Sequence, residues 1–185
     1  LGAPADAADS DADRIIAWRS PAVSQNLDLD QGGDKETTAY RNAGLPYGPR
    51  LAPFDSVQEL WLVLGLPPAL VERALRFVTV FSGLPSVDIM HAAPEVVAAL
   101  PGMTPDLLDA VVRLRSVPGA DAKPILQLLG PAQANATALG SNATRVTLHV
   151  SLAGGRDISA QAVILPLDDA PDPYRVLSWT DDFDG

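Results

Sequence analysis

Residues 56–75 read SVQELWLVLGLPPALVERAL, and residues 93–114 read APEVVAALPGMTPDLLDAVVRL. Sliding the first stretch by 37 positions places Gly65 on Gly102, Pro68 on Pro105, Leu60 on Val97 and Val63 on Leu100. One pattern is therefore written twice. Each copy reads as a helix, a tight turn and a second helix. Gly65 and Gly102 follow the last apolar residues of a helix, where a left-handed residue closes the C-terminus. Pro68 and Pro105 fall in the first turn of the next helix, where a missing N–H costs nothing. Thr104 is a good N-cap, and Asp106 adds favourable charge behind it. Ser56 with Glu59 three residues on is a capping box. The second copy has Ala93 in the cap slot and Pro94 at the first helical position. No helix this short buries its apolar face alone, so the two pairs are expected to pack together as a helical module.

Outward from this repeat, the N-terminal stretch 1–13 is rich in Ala, Asp and Gly and is expected to fray. Residues 11–20, DADRIIAWRS, form a short helix with Ile15, Ile16 and Trp18 as its apolar part. The absence of an initiator Met suggests the tail of a longer helix. Residues 24–53 read as loop, with Tyr40 and Tyr47 available to pin it to a core. Asp28, Asp30, Asp34 and Glu36 cluster there around Gly32 and Gly33. Alternating carboxylates near glycines suit a hard cation such as calcium, which takes six to eight oxygens from flexible backbone. The spacing departs from the EF-hand loop, and the residues by themselves favour a solvated acidic loop with Asx turns.

Residues 77–81, FVTVF, and 86–90, SVDIM, are candidates for extended backbone. Residues 123–129 suit another helical turn or two, and 130–143 read as a flexible linker. From Thr144 the period becomes two. Val146, Leu148, Val150 and Leu152 alternate with polar residues, 158–167 is a second strand after the turn AGGRD, and 174–180, YRVLSWT, is a third. Helices followed by an antiparallel meander make the fold class α+β.

The 185 residues carry a net charge of −10 and no cysteine. The acidity opposes sequence-blind phosphate binding, which relies on clustered Lys and Arg. No stretch approaches ~20 consecutive apolar residues, the length of a membrane-spanning helix. His91 and His149 are the only histidines; His149 falls on the polar face of a strand, and both read as solvated. No nucleophile–base motif or phosphate-binding glycine loop is present, so no catalytic residues are assigned. The paired helices invite a second reading, a helix-hairpin-helix nucleic-acid module. Its turns here are GLPP and GMTP, with Pro or Thr where a phosphate needs Gly. Residues 54–115 carry seven acidic side chains against four arginines, which favours a protein-interaction role.

Three separated motifs now point to a family. PFDSVQEL at 53–60, APEVVAALPGMTP at 93–105 and YRVLSW at 174–179 occur in the order found in the minor pseudopilin K of bacterial type II secretion systems. The chain resembles this family from about residue 11 to residue 180. The resemblance implies a pilin-like fold, an N-terminal helix plus antiparallel sheet, with a large inserted all-α domain of two helix-turn-helix repeats. Its expected divisions are 1–43 for the end of the pilin helix and the acidic loop, 44–130 for the inserted domain with repeats at 54–77 and 91–115, and 131–185 for linker and sheet.

The resemblance also implies a non-enzymatic role in protein export across the outer membrane. Family members cap the pseudopilus tip with minor pseudopilins I and J, possibly with H. They are anchored in the inner membrane by the preceding helix and hold the globular part in the periplasm. The family binds calcium in an acidic loop, and Asp28, Asp30, Asp34 and Glu36 are the matching candidates. Members commonly lead into the second copy with VNVNTA, where this chain has VDIMHA at 87–92.

Overall fold

The computed structural model describes residues 1–20, 32–153, 155–168 and 171–181. It divides into two compact units, Leu1–Val80 and Phe81–Gly185.

The first unit opens with helix α1, Ala5–Arg19. The helix begins well inside the stretch expected to fray, because alternating Ala and Asp are compatible with helix and Asp6 lies in the favourable first turn. Helix α2, Gly32–Asn42, occupies a region read as loop. Its sequence has a single large apolar anchor, Tyr40, so no apolar stripe announces it. A 3₁₀ helix, Val57–Leu62, and helix α3, Pro68–Leu75, form the first copy of the repeat. The leading element is 3₁₀ rather than α, as befits a piece only six residues long. Among the described residues, Trp18, Tyr40 and Val63 form a buried cluster with Leu45, Phe54, Leu64 and Leu66 packed around it, and Leu60 and Val71 are buried as well. The Trp18 ring stacks on Phe54 at 6.5 Å and tilts against Tyr40 at 5.9 Å. Leu51 is held at φ 55°, where an ordinary side chain is uncommon, and its N–H donates to the Trp18 carbonyl at 2.8 Å.

The second unit contains β1, Val87–Asp88, and the second copy as α4, Pro94–Ala98, and α5, Pro105–Arg115. Helix α6, Ala122–Leu128, follows. Residues read as flexible linker instead form a 3₁₀ helix, Gly130–Asn135, and strand β2, Ala136–Thr137, which pairs in parallel with β1. Ala132 is completely buried there, since a methyl side chain lets this backbone approach closely. Residues 77–81 make no strand; of the two segments proposed as extended, only 87–88 has a partner to complete a ladder. The core comprises Ile89, Val97, Leu100, Val111, Ile125, Leu129 and Ala132. Arg115 ties the chain across it, donating to the carbonyls of Ile89 at 3.1 Å and Ala92 at 2.7 Å.

The meander then forms as read. Strands β3, Thr144–Ser151, β4, Asp157–Pro166, and β5, Tyr174–Asp181, make an antiparallel sheet in the order β3-β4-β5. Mixed helix with an antiparallel sheet agrees with α+β.

The repeat holds at the level of burial and backbone. Leu60 and Val97 are both buried, as are Val63 and Leu100. Gly65 and Gly102 have φ of 80° and 77°. The copies nevertheless do not share a core as expected. Val63 packs with Trp18 and Tyr40, whereas Val97 and Leu100 pack with Ile125, Leu129 and Ala132. The apolar face of each copy is thus completed by segments that do not belong to the repeat.

The two turn glycines differ in one respect. A Cβ on Gly102 would meet open space, while one on Gly65 would stand 3.1 Å from the Arg14 guanidinium carbon. Arg14 donates to the Gly65 carbonyl at 2.8 Å. Gly102→Ala is expected to cost about 1–2 kcal/mol from the left-handed backbone alone. Gly65→Ala adds loss of the arginine bond, about 1 kcal/mol more. Urea unfolding of the two variants would show the difference.

Candidate functional site

The acidic stretch before the helical repeat is the chain's candidate ion site, and the structure places only part of it. Asp28 and Asp30 lie outside the described residues, as does the side chain of Asp34. Asp34 and Glu36 both belong to α2, so the second half of the acidic cluster sits on a helix rather than in a loop. Glu36 is half-buried and one turn ahead of Tyr40 on the same helix face. Among the described residues, no three His, Asp or Glu side chains come together.

Tyr40 anchors this segment. Its ring is buried against Trp18, and its hydroxyl accepts from the Leu64 N–H at 2.8 Å. The hydroxyl therefore reaches from α2 to the turn of the first repeat copy. Burial pushes its pKa up; the Leu64 N–H opposes that shift, and the nearby Glu36 carboxylate adds to it.

Glu59 is the second organising group. Its Oε1 accepts from the N–H groups of Asp55 at 2.9 Å and Ser56 at 3.2 Å, and Oε2 accepts from the Trp18 indole at 3.2 Å. Arg50 donates to the same carboxylate at 3.3 Å and pairs with Asp55. The capping box legible in the sequence is therefore present, with Ser56 accepting from Gln58 N–H. The indole and guanidinium that share Glu59 come from elsewhere in the chain, and no local pattern signals them. Asp11, buried near the middle of α1, pairs with Arg14 at 2.9 Å.

His91 is exposed, with Nδ1 2.8 Å from Asp88 Oδ2, and Asp88 itself accepts from Met90 N–H. His149 stands on the polar side of β3, as read, with Nδ1 2.9 Å from Ser159 Oγ on an exposed sheet surface. The turns of the repeat are also poor phosphate cradles. Pro67 and Pro68 remove two donors from the first, and in the second Thr104 Oγ already accepts from Leu107 N–H at 3.3 Å, ahead of the acidic Asp106.

The sheet offers a different kind of surface. Leu148, Val150 and Leu152 at the β3 side, and Tyr174, Val176 and Trp179 on β5, are all exposed. Large apolar side chains left in water on paired strands are characteristic of surfaces that meet other proteins.

Residues 1–83 match the family model described as type II secretion system (T2SS), protein K. Over these residues, somewhat less than half of the chain, the sequence is similar to that family. The match takes in α1, α2 and the first repeat copy, the elements joined by Trp18, Tyr40 and Glu59. No curated protein matches it. Protein K is a structural component of the secretion machinery. Among the described residues, no helix is long and apolar enough to cross a membrane.

Two outcomes follow for the protein K region. Glu59→Ala leaves two N–H groups and an indole without their acceptor and is expected to cost about 2–3 kcal/mol in urea unfolding. Tyr40→Phe removes the acceptor for Leu64 N–H, at about 1–2 kcal/mol near neutral pH. Because the folded-state pKa of Tyr40 is raised, its contribution is complete below the ordinary tyrosine value of about 10 and is lost as pH rises through the folded value. The thermal midpoint of the wild type should therefore fall more steeply above about pH 10 than that of Tyr40→Phe.

Proposed function

We propose that the chain is a minor pseudopilin of the type II secretion system, acting in the pseudopilus tip with minor pseudopilins I and J. The observation that carries this reading is the protein K match over residues 1–83, in a chain whose helical repeats lead into an antiparallel sheet. In this reading α1 is the end of a pilin-type helix, β3–β5 are the pilin-like sheet, and the helical segments between them are an inserted domain. The inserted bulk suits a terminal position, because it would obstruct a further subunit stacked above it. The proposal extends to minor pseudopilin H as a further partner.

The protein works by assembly, supporting export across the outer membrane, with its globular part in the periplasm and an anchor in the inner membrane. Calcium belongs to the same proposal. Asp28, Asp30, Asp34 and Glu36 supply hard oxygen donors, and an ion among them would neutralise carboxylates that otherwise repel one another. Removing the ion would restore that repulsion.

Light scattering after gel filtration tests both parts. The chain mixed with the periplasmic parts of pseudopilins I and J should elute as a discrete heterotrimer in calcium. Chelation should weaken that complex, and Asp28→Asn with Asp30→Asn should mimic chelation. Three separate monomer peaks in calcium would sink the tip-complex reading, and a complex indifferent to both chelator and substitutions would sink the calcium site alone.

A further inference from the structure

Helix α1 holds to the first unit by one narrow face. Of its 15 residues only Asp11 and Trp18 are buried. With Arg14 and the half-buried Ile15 they lie three, four and seven positions apart, on a single side of the helix. Apart from Ala17, the other residues of α1 are exposed. Arg14 joins the Asp11 carboxylate, at 2.9 Å, to the Gly65 carbonyl in the turn of the first repeat copy, at 2.8 Å. The Trp18 indole donates to Glu59, and its ring packs on Tyr40 and Phe54. The Trp18 carbonyl accepts from Leu51 N–H at 2.8 Å.

The segments joined in this way depend on one another. The 3₁₀ helix Val57–Leu62 has 6 residues and α3 has 8, both shorter than the roughly 12–15 that a lone helix needs in water. Helix α1 is itself marginal at its length. Trp18 belongs to the buried cluster with Tyr40 and Val63, so its departure uncovers both. It would also take the indole from Glu59 and leave Leu51 N–H without its acceptor. Leu51 sits in the left-handed region, where strain is relieved by release. The second copy is built differently. Its buried core residues all come from the stretch between Ile89 and Ala132.

We propose that α1 is a strap that keeps the first repeat copy in order. Docked, it fixes the 3₁₀ helix that carries the exposed Trp61 and Leu62. Undocked, it lets α1, the segment around Leu51 and the first copy open together while the second copy stays folded. Such sub-global opening occurs where few buried contacts hold a segment, and here they converge on Arg14 and Trp18. The position of α1 thereby governs whether the first copy presents its outer surface. This device does not depend on the tip-complex reading.

Native-state hydrogen exchange on the whole chain, in urea below the unfolding transition, tests the strap. The N–H groups of Leu51, Leu64 and Val71 should exchange through one shared opening, with those of Ile89, Val97 and Ala132 at least about tenfold slower. Arg14→Ala removes the bond to Gly65 and leaves Asp11 without its cation. It should speed exchange at Leu51, Leu64 and Val71 alike, by about tenfold. Trp18→Ala should speed it by about a hundredfold or more. Neither variant should alter Ile89, Val97 or Ala132. The proposal is overturned if the two sets of N–H groups exchange in a single step in the wild type. It is equally overturned if Leu64 and Val71 stay protected in Trp18→Ala, or if that variant exposes both sets together.

Discussion

The carboxylate of Glu59 is the constraint on which the first unit depends. A free carboxylate in water has no reason to hold one rotamer. Here it accepts two backbone N–H groups at the start of a 3₁₀ helix, the Trp18 indole and the Arg50 guanidinium. Each partner arrives from a different segment, so the one side chain fixes the entry to the repeat, the end of α1 and the connection between them. The aromatic packing of Trp18 on Phe54 and Tyr40 is then an outcome of that placement as much as a cause of it. Charge-assisted hydrogen bonds at the rim of the Trp18, Tyr40 and Val63 cluster add to its hydrophobic stabilisation.

The duplicated pattern shows how a repeat can be kept while its surroundings diverge. Both copies preserve the left-handed glycine, the proline that opens the following helix and two buried apolar positions. These are requirements of the turn and travel with the sequence of each copy. The partners of those apolar positions are aromatic in the first unit and aliphatic in the second. Trp61 and Leu62 in the first copy stand where the second has Ala98 and Ala99, and both large side chains are exposed. The copies therefore present different outer surfaces on the same local frame, as suits a protein whose work is contact.

The similarity to the protein K family over residues 1–83 agrees with this division of labour. The molecule has exposed apolar surface on the sheet and a helical repeat with acidic character. Both are suited to assembly.

The sequence by itself determined the elements whose signals are local. The glycine turns, Pro68 and Pro105, the Ser56–Glu59 box, the Thr104 cap and the three strands from Thr144 each follow from contacts within a few residues or from a period of two. Helix α2 was hidden because its stability comes from Tyr40 reaching Leu64, a bond across 24 residues. The segment 130–143 read as linker because alanine carries no strong signal, yet Ala132 is buried by helices made elsewhere. The acidic cluster was visible as composition, and only the backbone of α2 revealed that Asp34 and Glu36 lie on a helix. Which core each repeat copy joins was likewise a tertiary decision. An amphipathic pattern states that a face must be buried, and the rest of the chain decides against what.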